Sequence, residues 1–285
     1  MKIKYLTAII ILAASMASAH AADKSVSKTA TMPPAQKTIS IVSDEWCPYV
    51  CDDKQNPGFF IEVAREVFTN AGYKFEYTLL PWQRALDEAA KGSFDGVGVV
   101  NTVEGADFLL HEEPLGITIY KFFVKAGNKW RYKDIKSLES ITLGVMDGID
   151  YGQAITDYVE KNRSNPERVQ IISAETTFDK NVKKVLAGRI DAMFEDKFVL
   201  GHYLKQHGME DKIADAGTSV DPNYLDEEYL YIGFSKKKPN SKVNSAVLSS
   251  GIKELRKSGK LKIILDKYGV TDWNDIKKNA KQFVQ

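Results

Sequence analysis

Aromatic and acidic side chains occur at several predicted strand ends and helix starts of this chain, which is where α/β proteins bind their ligands. Four segments occupy such positions: 46–49, 80–84, 146–151 and 195–196. Aromatic rings combined with carboxylates suit a cationic amine, through cation–π contacts and charge-assisted hydrogen bonds. The side chains that carry this chemistry are Trp46, Trp82, Asp150, Tyr151, Glu195 and Asp196.

Each of these residues also has an ordinary structural interpretation. An isolated Trp belongs to a core more often than to a ligand site. Asp150 could be the N-cap of a helix. Glu195 and Asp196 are neighbours at the end of a predicted strand, so their side chains face opposite ways and only one is expected to point into a cleft.

Residue types that enzymes use for covalent or metal chemistry are scarce. Beyond residue 21 the histidines are His111, His202 and His207, and the last two lack the i, i+4 spacing of a helical metal pair. The sequence has no GxSxG elbow, no Walker phosphate loop and no HExxH motif. We therefore expect a binding protein rather than an enzyme, with no catalytic residue, cofactor or metal.

The N-terminus has the pattern of a secretory signal peptide. Lys2 and Lys4 precede the apolar run 6–14, and small residues follow, with small-x-small patterns at 17–19 and 19–21. A membrane anchor is the weaker alternative because the apolar segment is too short. We predict a signal peptide over 1–21, a flexible leader over 22–37 and export to the periplasm.

Cys47 and Cys51 are the only two cysteines of the chain. In an oxidising compartment such a close pair usually forms a disulfide, and the chain must turn between the two residues to bring them within reach. Neither a further Cys nor a His is spaced to complete a metal site, so we predict a structural disulfide. It would hold a loop that exposes Trp46 and Tyr49.

The composition excludes other classes of protein. There are 39 Lys and Arg against 38 Asp and Glu, and this balance argues against a nucleic acid as partner. No apolar run after residue 21 reaches the roughly 20 residues that span a bilayer. The hydrophobic content of 44% is that of a globular protein, and the length suits two domains.

Alternating strand and helix patterns predict a mostly parallel α/β fold. The predicted strands are 38–42, 73–79, 94–100, 117–125, 141–145 and 229–234, and the clearest helices are 60–71, 82–91, 241–258 and 261–268. One unit occurs twice, because the offsets from Trp82 to Gly92 and Asp95 recur from Phe178 to Gly188 and Asp191. Coincidence between two common units is the alternative. The repeat favours two lobes, 38–124 and 125–227, with 228–285 returning to the first lobe and ending in a tail.

Several of these segments, in their order and spacing, resemble the family 3 extracellular solute-binding proteins, the periplasmic receptors of polar amino-acid ABC importers. The resemblance extends from Thr38 to Val270. It rests on the segments WCPY, GFFIEVAREVFTNAGY, PWQRAL, KGSFDG, LGVMDG, AGRIDAMFED and YLYIGFSKKKPNSKVNSAVLSSGIKELRKSGKLKIILDKYG. It implies two α/β lobes joined by two crossovers, closing as a monomer on a small molecule that is passed to an ABC permease.

The resemblance also assigns roles to individual residues. Trp46 and Trp82 match the aromatic residues that sandwich the ligand, and Asp196 matches the carboxylate that holds its α-amino group. Thr102 lies in the polar stretch that helps to bind the α-carboxylate.

At two places the chain departs from the family pattern. Gly105 stands where the family has an Arg that clamps the α-carboxylate, and Arg84 could substitute or could be an exposed helix residue. The family's small hydroxyl-and-glycine turn is here the segment 148–150, in which Gly148 precedes an added acidic residue. We expect the amine end of the ligand to be retained and the carboxylate end to be weakened. The ligand would then be an amine, a basic amino-acid derivative or a small peptide.

These observations favour a receptor that closes on a small polar or cationic solute and delivers it to a permease. A second hypothesis is an enzyme on the same scaffold, since the resemblance extends to dehydratases. Glu195 or Asp196 would then act as a general acid with a pKa raised by burial. A third is a sensory binding module that does not transport.

Overall fold

The computed structural model of this chain describes residues 37–173 and 179–284. The predicted signal peptide, residues 22–36 of the predicted leader and Phe178 of the internal repeat lie outside those residues. Within the described ranges, the helices are all too short or too polar to cross a membrane.

The first sheet forms the base of what we call the first lobe. Its strands are β1 (Thr38–Ser43), β2 (Lys74–Leu79), β3 (Gly96–Val100), β4 (Phe108–Leu110), β5 (Gly116–Ile117) and β11 (Tyr229–Ser235). Their order is β2-β1-β3-β11-β4, and β5 also pairs with β11. β1 runs parallel to β2 and β3, whereas β11 is antiparallel to its neighbours. A strand from the far end of the chain therefore completes this sheet.

The second sheet forms the base of the second lobe. Its strands are β6 (Tyr120–Lys125), β7 (Leu143–Met146), β8 (Val169–Ile172), β9 (Ala192–Asp196) and β10 (Ile213–Asp215). Their order is β10-β6-β9-β7-β8, with β7 parallel to β8 and β9, and β6 antiparallel to β9 and β10. The α/β, two-lobe fold expected from the alternating patterns is thus confirmed.

Helices cover the faces of both sheets. They are α1 (Phe59–Asn70), α2 (Trp82–Lys91), α3 (Gln153–Asn162), α4 (Asp179–Leu186), α5 (Lys197–His207), α6 (Ser241–Lys257), α7 (Lys260–Tyr268), α8 (Trp273–Lys278) and α9 (Ala280–Val284). The apolar positions of α1 that repeat with helical spacing are buried in the core of the first lobe. Gly251 of α6 lets α1 approach closely, because a Cβ there would lie 2.3 Å from Val67 Cγ1.

The internal repeat has a structural counterpart in the two sheets. Asp95, just before β3, accepts a hydrogen bond at 2.9 Å from the backbone N–H of Ser40, which lies in β1. Asp191, just before β9, accepts a hydrogen bond at 2.8 Å from the backbone N–H of Thr142, which lies just before β7. In each lobe an aspartate thus ties the start of one parallel strand to its neighbour.

The sequence prediction for 117–125 as a single strand of the first lobe was wrong. The segment forms two strands, of which β5 pairs with β11 in the first sheet and β6 joins the second sheet. Between them, the N–H of Thr118 donates to the carbonyl of Glu228 at 3.0 Å, so the outgoing and returning crossovers pair with each other. The chain therefore enters the second lobe before residue 124.

Cys47 and Cys51 form the predicted disulfide, with Cα atoms 4.6 Å apart. The prediction that its loop exposes Tyr49 was wrong, because Tyr49 is fully buried. Its ring stacks on Trp46 with centroids 4.3 Å apart, and its hydroxyl donates to the carbonyl of Ile117 at 3.0 Å. Trp46 is half-buried, so the loop packs its aromatic residues against the core instead of presenting both to solvent.

Candidate functional site

A cavity of about 240 Å³ opens where the returning crossover passes the start of α3. The groups that give it chemical character are Tyr120 of β6, Tyr151 before α3, and Asp221, Tyr224, Glu227 and Glu228 of the returning crossover. The rings of Tyr120 and Tyr151 meet edge to face, with centroids 5.2 Å apart. The cavity wall is therefore aromatic on the side of the second sheet and acidic on the side of the crossover.

Glu195, which lies outside the cavity lining, acts on the two tyrosines of this wall through its charge. Its charge, after burial, contributes to raising the pKa of both Tyr120 and Tyr151 above the usual range. The Glu195 side chain is itself buried, and burial raises its pKa to about 8. Its Oε1 atom accepts the N–H of Asp196 at 2.9 Å, which is the one hydrogen bond to this carboxylate from the residues described.

Asp196 occupies a different environment, at the junction of the two lobes. One carboxylate oxygen accepts the N–H groups of Phe198 and Val199 and so caps α5. The other accepts the N–H of Ile119 in the outgoing crossover at 2.8 Å. The side chain is 0% exposed. Asp196 thus makes backbone contacts, and the two carboxylates do point in different directions, because the strand register pairs Asp196 with Tyr120 and Glu195 with Lys121. Neither side chain is among those that line the cavity.

Glu104 supplies a carboxyl group on the side of the first lobe. Burial raises its pKa to about 7, with further contributions from Asp150 and Asp44, while a hydrogen bond to the backbone of Asn101 and a contact with the Trp82 side chain oppose the shift. Burial also raises the pKa of Asp44 to about 6. Trp82, which is half-buried, therefore lies next to an acid that no sequence pattern singled out.

Glu228 stands between these groups, on the returning crossover. Its Oε2 atom accepts the hydroxyl of Thr118 at 2.9 Å. Burial raises the pKa of Glu228 to about 7, and the charges of Asp150 and Asp196 add to the increase. Asp150 itself accepts the N–H of Gly152 at 3.0 Å in the turn before α3.

These acidic groups have no basic partner within ion-pair distance among the residues described. In residues 37–173 and 179–284, no salt bridge includes any of the carboxylates Asp44, Glu104, Asp150, Glu195, Asp196 and Glu228. Lys121, opposite Glu195 in register, binds Asp215 instead, with Nζ and Oδ2 2.5 Å apart. Of these six, Glu195 and Asp196 are buried, and burial disfavours their charged forms and raises the pKa of each. A cation placed near such a group would favour its charged form. The part of the chain that the structure describes holds no group of three side chains suited to a metal.

Of the site residues predicted from the sequence, Tyr151 lines the cavity and the others lie outside its wall. Arg84 is exposed on α2, where its charge contributes to lowering the pKa of Glu88. Thr102 is exposed after β3, and Gly148 lies in the loop after β7 with a φ of 75°. Trp46 packs on Tyr49 as described above.

Gly105 is buried, and a side chain at this position would meet other atoms of the protein. A Cβ at this position would lie 2.7 Å from Leu110 Cδ2. An arginine could therefore stand here only if Leu110 moved. Glu104, the preceding residue, is half-buried.

Tyr120, Glu104 and Glu228 were not among the candidate site residues predicted from the sequence. Glu104 follows β3, a strand end to which the rule used for the other segments applies equally. Tyr120 and Glu228 lie on the two crossovers, and no local pattern marks them, because the pairing of Thr118 with Glu228 brings together residues far apart in sequence.

Comparisons with known proteins agree with this architecture. Residues 39–271 match the family model of the bacterial extracellular solute-binding proteins, family 3. The chain is 26% identical over 216 residues to the probable amino-acid-binding protein YxeM of Bacillus subtilis (strain 168), covering 74% of this chain and 75% of that protein.

Two solved structures are similar in fold. An ancestral arginine-binding protein bound to arginine has a TM-score of 0.63 at 19% identity, covering 82% of this chain and 98% of that one. A histidine kinase sensor domain with similarity to periplasmic binding proteins has a TM-score of 0.61 at 14% identity, covering 82% and 96%.

Proposed function

The chain belongs to the bacterial extracellular solute-binding proteins of family 3, and we propose that it is an exported receptor for a small cationic ligand. The ligand, an amine or an amino-acid-like molecule, is captured between the two lobes and delivered to an ABC importer. The name of the relative YxeM, a probable amino-acid-binding protein, supports a ligand of this size. So does the arginine bound to the ancestral arginine-binding protein of similar fold.

The observation that carries this proposal is the absence of a salt bridge at the acidic cavity. Glu227 and Glu228 line a cavity faced by Tyr120 and Tyr151, and no salt bridge among the described residues includes either acid. A cation would gain charge-assisted hydrogen bonds from the carboxylates and cation–π contacts from the rings. An anionic ligand would meet only like charge there.

Capture works by closure of the two lobes, which needs no covalent step. A ligand that touches groups on both lobes stabilises the closed state by its differential affinity. Glu104 and Trp82 offer contacts on the first lobe, Tyr120 and Tyr151 on the second. Asp196 holds the junction in place through its backbone contacts, and we assign it a positioning role.

The proposal is tested by thermal denaturation of the oxidised protein after unfolding and refolding to remove any carried ligand. The probes are arginine, lysine, agmatine, cadaverine, choline, glutamine and glutamate. A ligand at about 100 times its dissociation constant adds about 2.7 kcal/mol to the stability of the folded protein. We expect cationic probes to raise the transition temperature. A response to glutamate alone, or to none of the probes, would overturn the proposal.

Two further measurements separate transport from its alternatives. Mass spectrometry of a bound probe after prolonged incubation should recover it unchanged, whereas conversion would indicate an enzyme. Uptake of the labelled probe by cells should fall when the gene is deleted and recover on complementation. Unchanged uptake would argue against delivery and in favour of sensing.

A further inference from the structure

We infer that Cys47 is the residue through which the disulfide of this chain exchanges with external thiols and disulfides, and that His202 activates it. In the reduced protein Cys47 is the attacking thiol, and Cys51 is the thiol that closes the bond. The site is separate from the cavity, and its chemistry does not depend on which ligand the cavity binds.

A contact between the two lobes places an imidazole beside this sulfur. The Nε2 atom of His202 lies 3.2 Å from the Cys47 sulfur. Cys47 belongs to the loop after β1 in the first lobe, whereas His202 lies on α5, which follows β9 of the second sheet. A neutral imidazole nitrogen at this distance can take up the proton of a thiol and leave the thiolate, which is the nucleophilic form of cysteine. The ring therefore makes Cys47 reactive once the disulfide is open.

The charges around this pair set the protonation state of the ring. His202 is half-buried, and burial, followed by the charge of Lys205 on the same helix, lowers its pKa. The ring is therefore neutral near pH 7 and free to accept a proton. On the loop, Asp44 and Glu45 precede Cys47, and their negative charges oppose formation of a thiolate. An increase in the reactivity of this thiol is thus to be assigned to His202.

The two cysteines differ in their exposure. Cys51 is 5% exposed and belongs to the core of the first lobe, whereas Cys47 is half-buried against that core. Buried cysteines are inert towards external reagents. An external disulfide therefore meets Cys47 first, and Cys51 reacts only with the sulfur of its neighbour.

The loop that carries both cysteines is held by contacts other than the disulfide. The N–H of Trp46 donates to the carbonyl of Val50 at 2.8 Å, and the N–H of Val50 donates to the carbonyl of Trp46 at 3.0 Å. The hydroxyl of Tyr49 donates to the carbonyl of Ile117 at 3.0 Å. These bonds remain when the disulfide opens, so the two thiols stay close together.

Helix α5 is held against the first lobe in a similar way. Phe198 and His202 are separated by one helical turn, so their side chains lie on the same face of α5. Phe198 is buried in the core of the first lobe. This packing keeps His202 beside Cys47 whether or not the disulfide is formed.

Oxidation of the reduced pair by a small-molecule disulfide takes two displacements. The Cys47 thiol gives its proton to His202 Nε2, and its thiolate attacks one sulfur of the external disulfide. A mixed disulfide forms, and the first thiolate leaves with the proton from His202. Cys51 then loses its proton to water and attacks the Cys47 sulfur, releasing the second thiolate, which takes a proton from water. The chain gives up two electrons and two protons, and the external disulfide becomes two thiols. A dithiol drives the reverse reaction.

Alkylation of the reduced full-length chain tests the assignment of the two thiols. The protein is reduced with dithiothreitol, freed of reductant, and treated at pH 6.5 with iodoacetamide in less than stoichiometric amount. Peptide mass spectrometry should show modification of Cys47 at least about tenfold faster than that of Cys51. The difference should disappear in urea, because it depends on the folded structure. Equal rates in the folded chain, faster reaction at Cys51, or a difference that persists in urea would overturn the inference.

Substitution of the imidazole tests the activation. Glutamine cannot take up a proton, so His202→Gln should slow the alkylation of Cys47 at pH 6.5 by about threefold or more. It should also move the midpoint of the pH–rate profile to higher pH and leave the rate at Cys51 unchanged, which general loosening of the loop would not do. His207→Gln, an exposed position on the same helix, is the matched control and should leave both rates unchanged. An unchanged profile for Cys47 in His202→Gln would overturn the role of His202.

Discussion

The carboxylate of Asp196 accepts the backbone N–H of Ile119 at 2.8 Å, which joins the end of β9 to the outgoing crossover. Its other oxygen accepts the N–H groups of Phe198 and Val199 at the start of α5. One buried side chain thus fixes a strand end, a helix start and a crossover relative to one another. This arrangement makes the geometry of the lobe junction depend on a single acid.

Replacement of that acid by its amide should destabilise the protein. In Asp196→Asn the amide oxygen can still cap α5, but the amide nitrogen then faces the N–H of Ile119, and two donors cannot bond each other. Leaving a buried donor unpaired costs about 1–3 kcal/mol. Urea denaturation of the ligand-free protein measures the loss. An unchanged midpoint would show that the crossover N–H does not depend on this carboxylate.

The close contact between α1 and α6 leads to a second prediction. A Cβ on Gly251 would lie 2.3 Å from Val67 Cγ1, so Gly251→Ala should push the helices apart and cost about 1–3 kcal/mol. Gly201 of α5 is the matched control, because a Cβ there meets nothing within 4 Å. Gly201→Ala should stabilise the helix by about 0.5–1 kcal/mol. Equal effects in denaturation experiments would contradict this packing of the two helices.

Stability should decrease as the pH rises from about 6.5 to about 8 in the absence of ligand. Burial raises the pKa of Glu195 to about 8 and those of Glu104 and Glu228 to about 7. The folded protein therefore keeps protons that the unfolded chain, with a Glu pKa of about 4.3, has released. Folding therefore takes up protons in this pH window, and the free energy of unfolding decreases with each rise in pH until the folded-state pKa values have been passed.

His111 makes the stability increase with pH, but it does so at lower pH than the acids act. Burial lowers its pKa to about 4, so its contribution to stability is lost as the pH falls below about 6.5 and is complete above that value. Denaturation midpoints between pH 6.5 and 8 therefore isolate the acids. Glu195→Gln should reduce the slope, and Glu210→Gln, a substitution of an exposed glutamate, is the matched control. A flat or rising profile in the parent protein would contradict the burial of these groups.

Loss of the disulfide should weaken the fold without abolishing it. The bridge closes a loop with a sequence separation of 4, for which the chain-entropy model gives about 2 kcal/mol of stabilisation. The double variant Cys47→Ser and Cys51→Ser should lose about this amount in urea denaturation. Reductant should destabilise the parent protein and leave the variant unaffected. Equal sensitivity of both proteins would show that the effect of reductant lies elsewhere.

Sequence patterns predicted the positions of helices and strands better than they predicted which strands pair with each other. The helix expected over 82–91 is confirmed, because its apolar spacing and the glycine stop at Gly92 are local signals. The run 117–125 satisfies a strand pattern equally well whether it forms one strand or two. Its division is decided by hydrogen bonds to Glu228 and Asp196, which are distant in sequence.

The candidate site was predictable to a similar extent. Strand-end aromatic and acidic residues could be found by rule, and one of them, Tyr151, does line the cavity. The same rule could not tell that Tyr49 packs inward. It also could not find Tyr120 or Glu228, because their proximity to the cavity results from the two crossovers pairing side by side.

Helix α5 begins in one core and continues in another. Phe198 and Val199 belong to the core of the first lobe, whereas Leu200 and Leu204 pack in the core beneath the second sheet. His202 of the same helix has its Nε2 atom 3.2 Å from the Cys47 sulfur of the first lobe. A separation of the lobes by translation would pull this helix out of one core, whereas a swing pivoting near its first turn would not. The start of α5 is therefore anchored in both lobes, and we expect any opening of the cleft to rotate the lobes about this point.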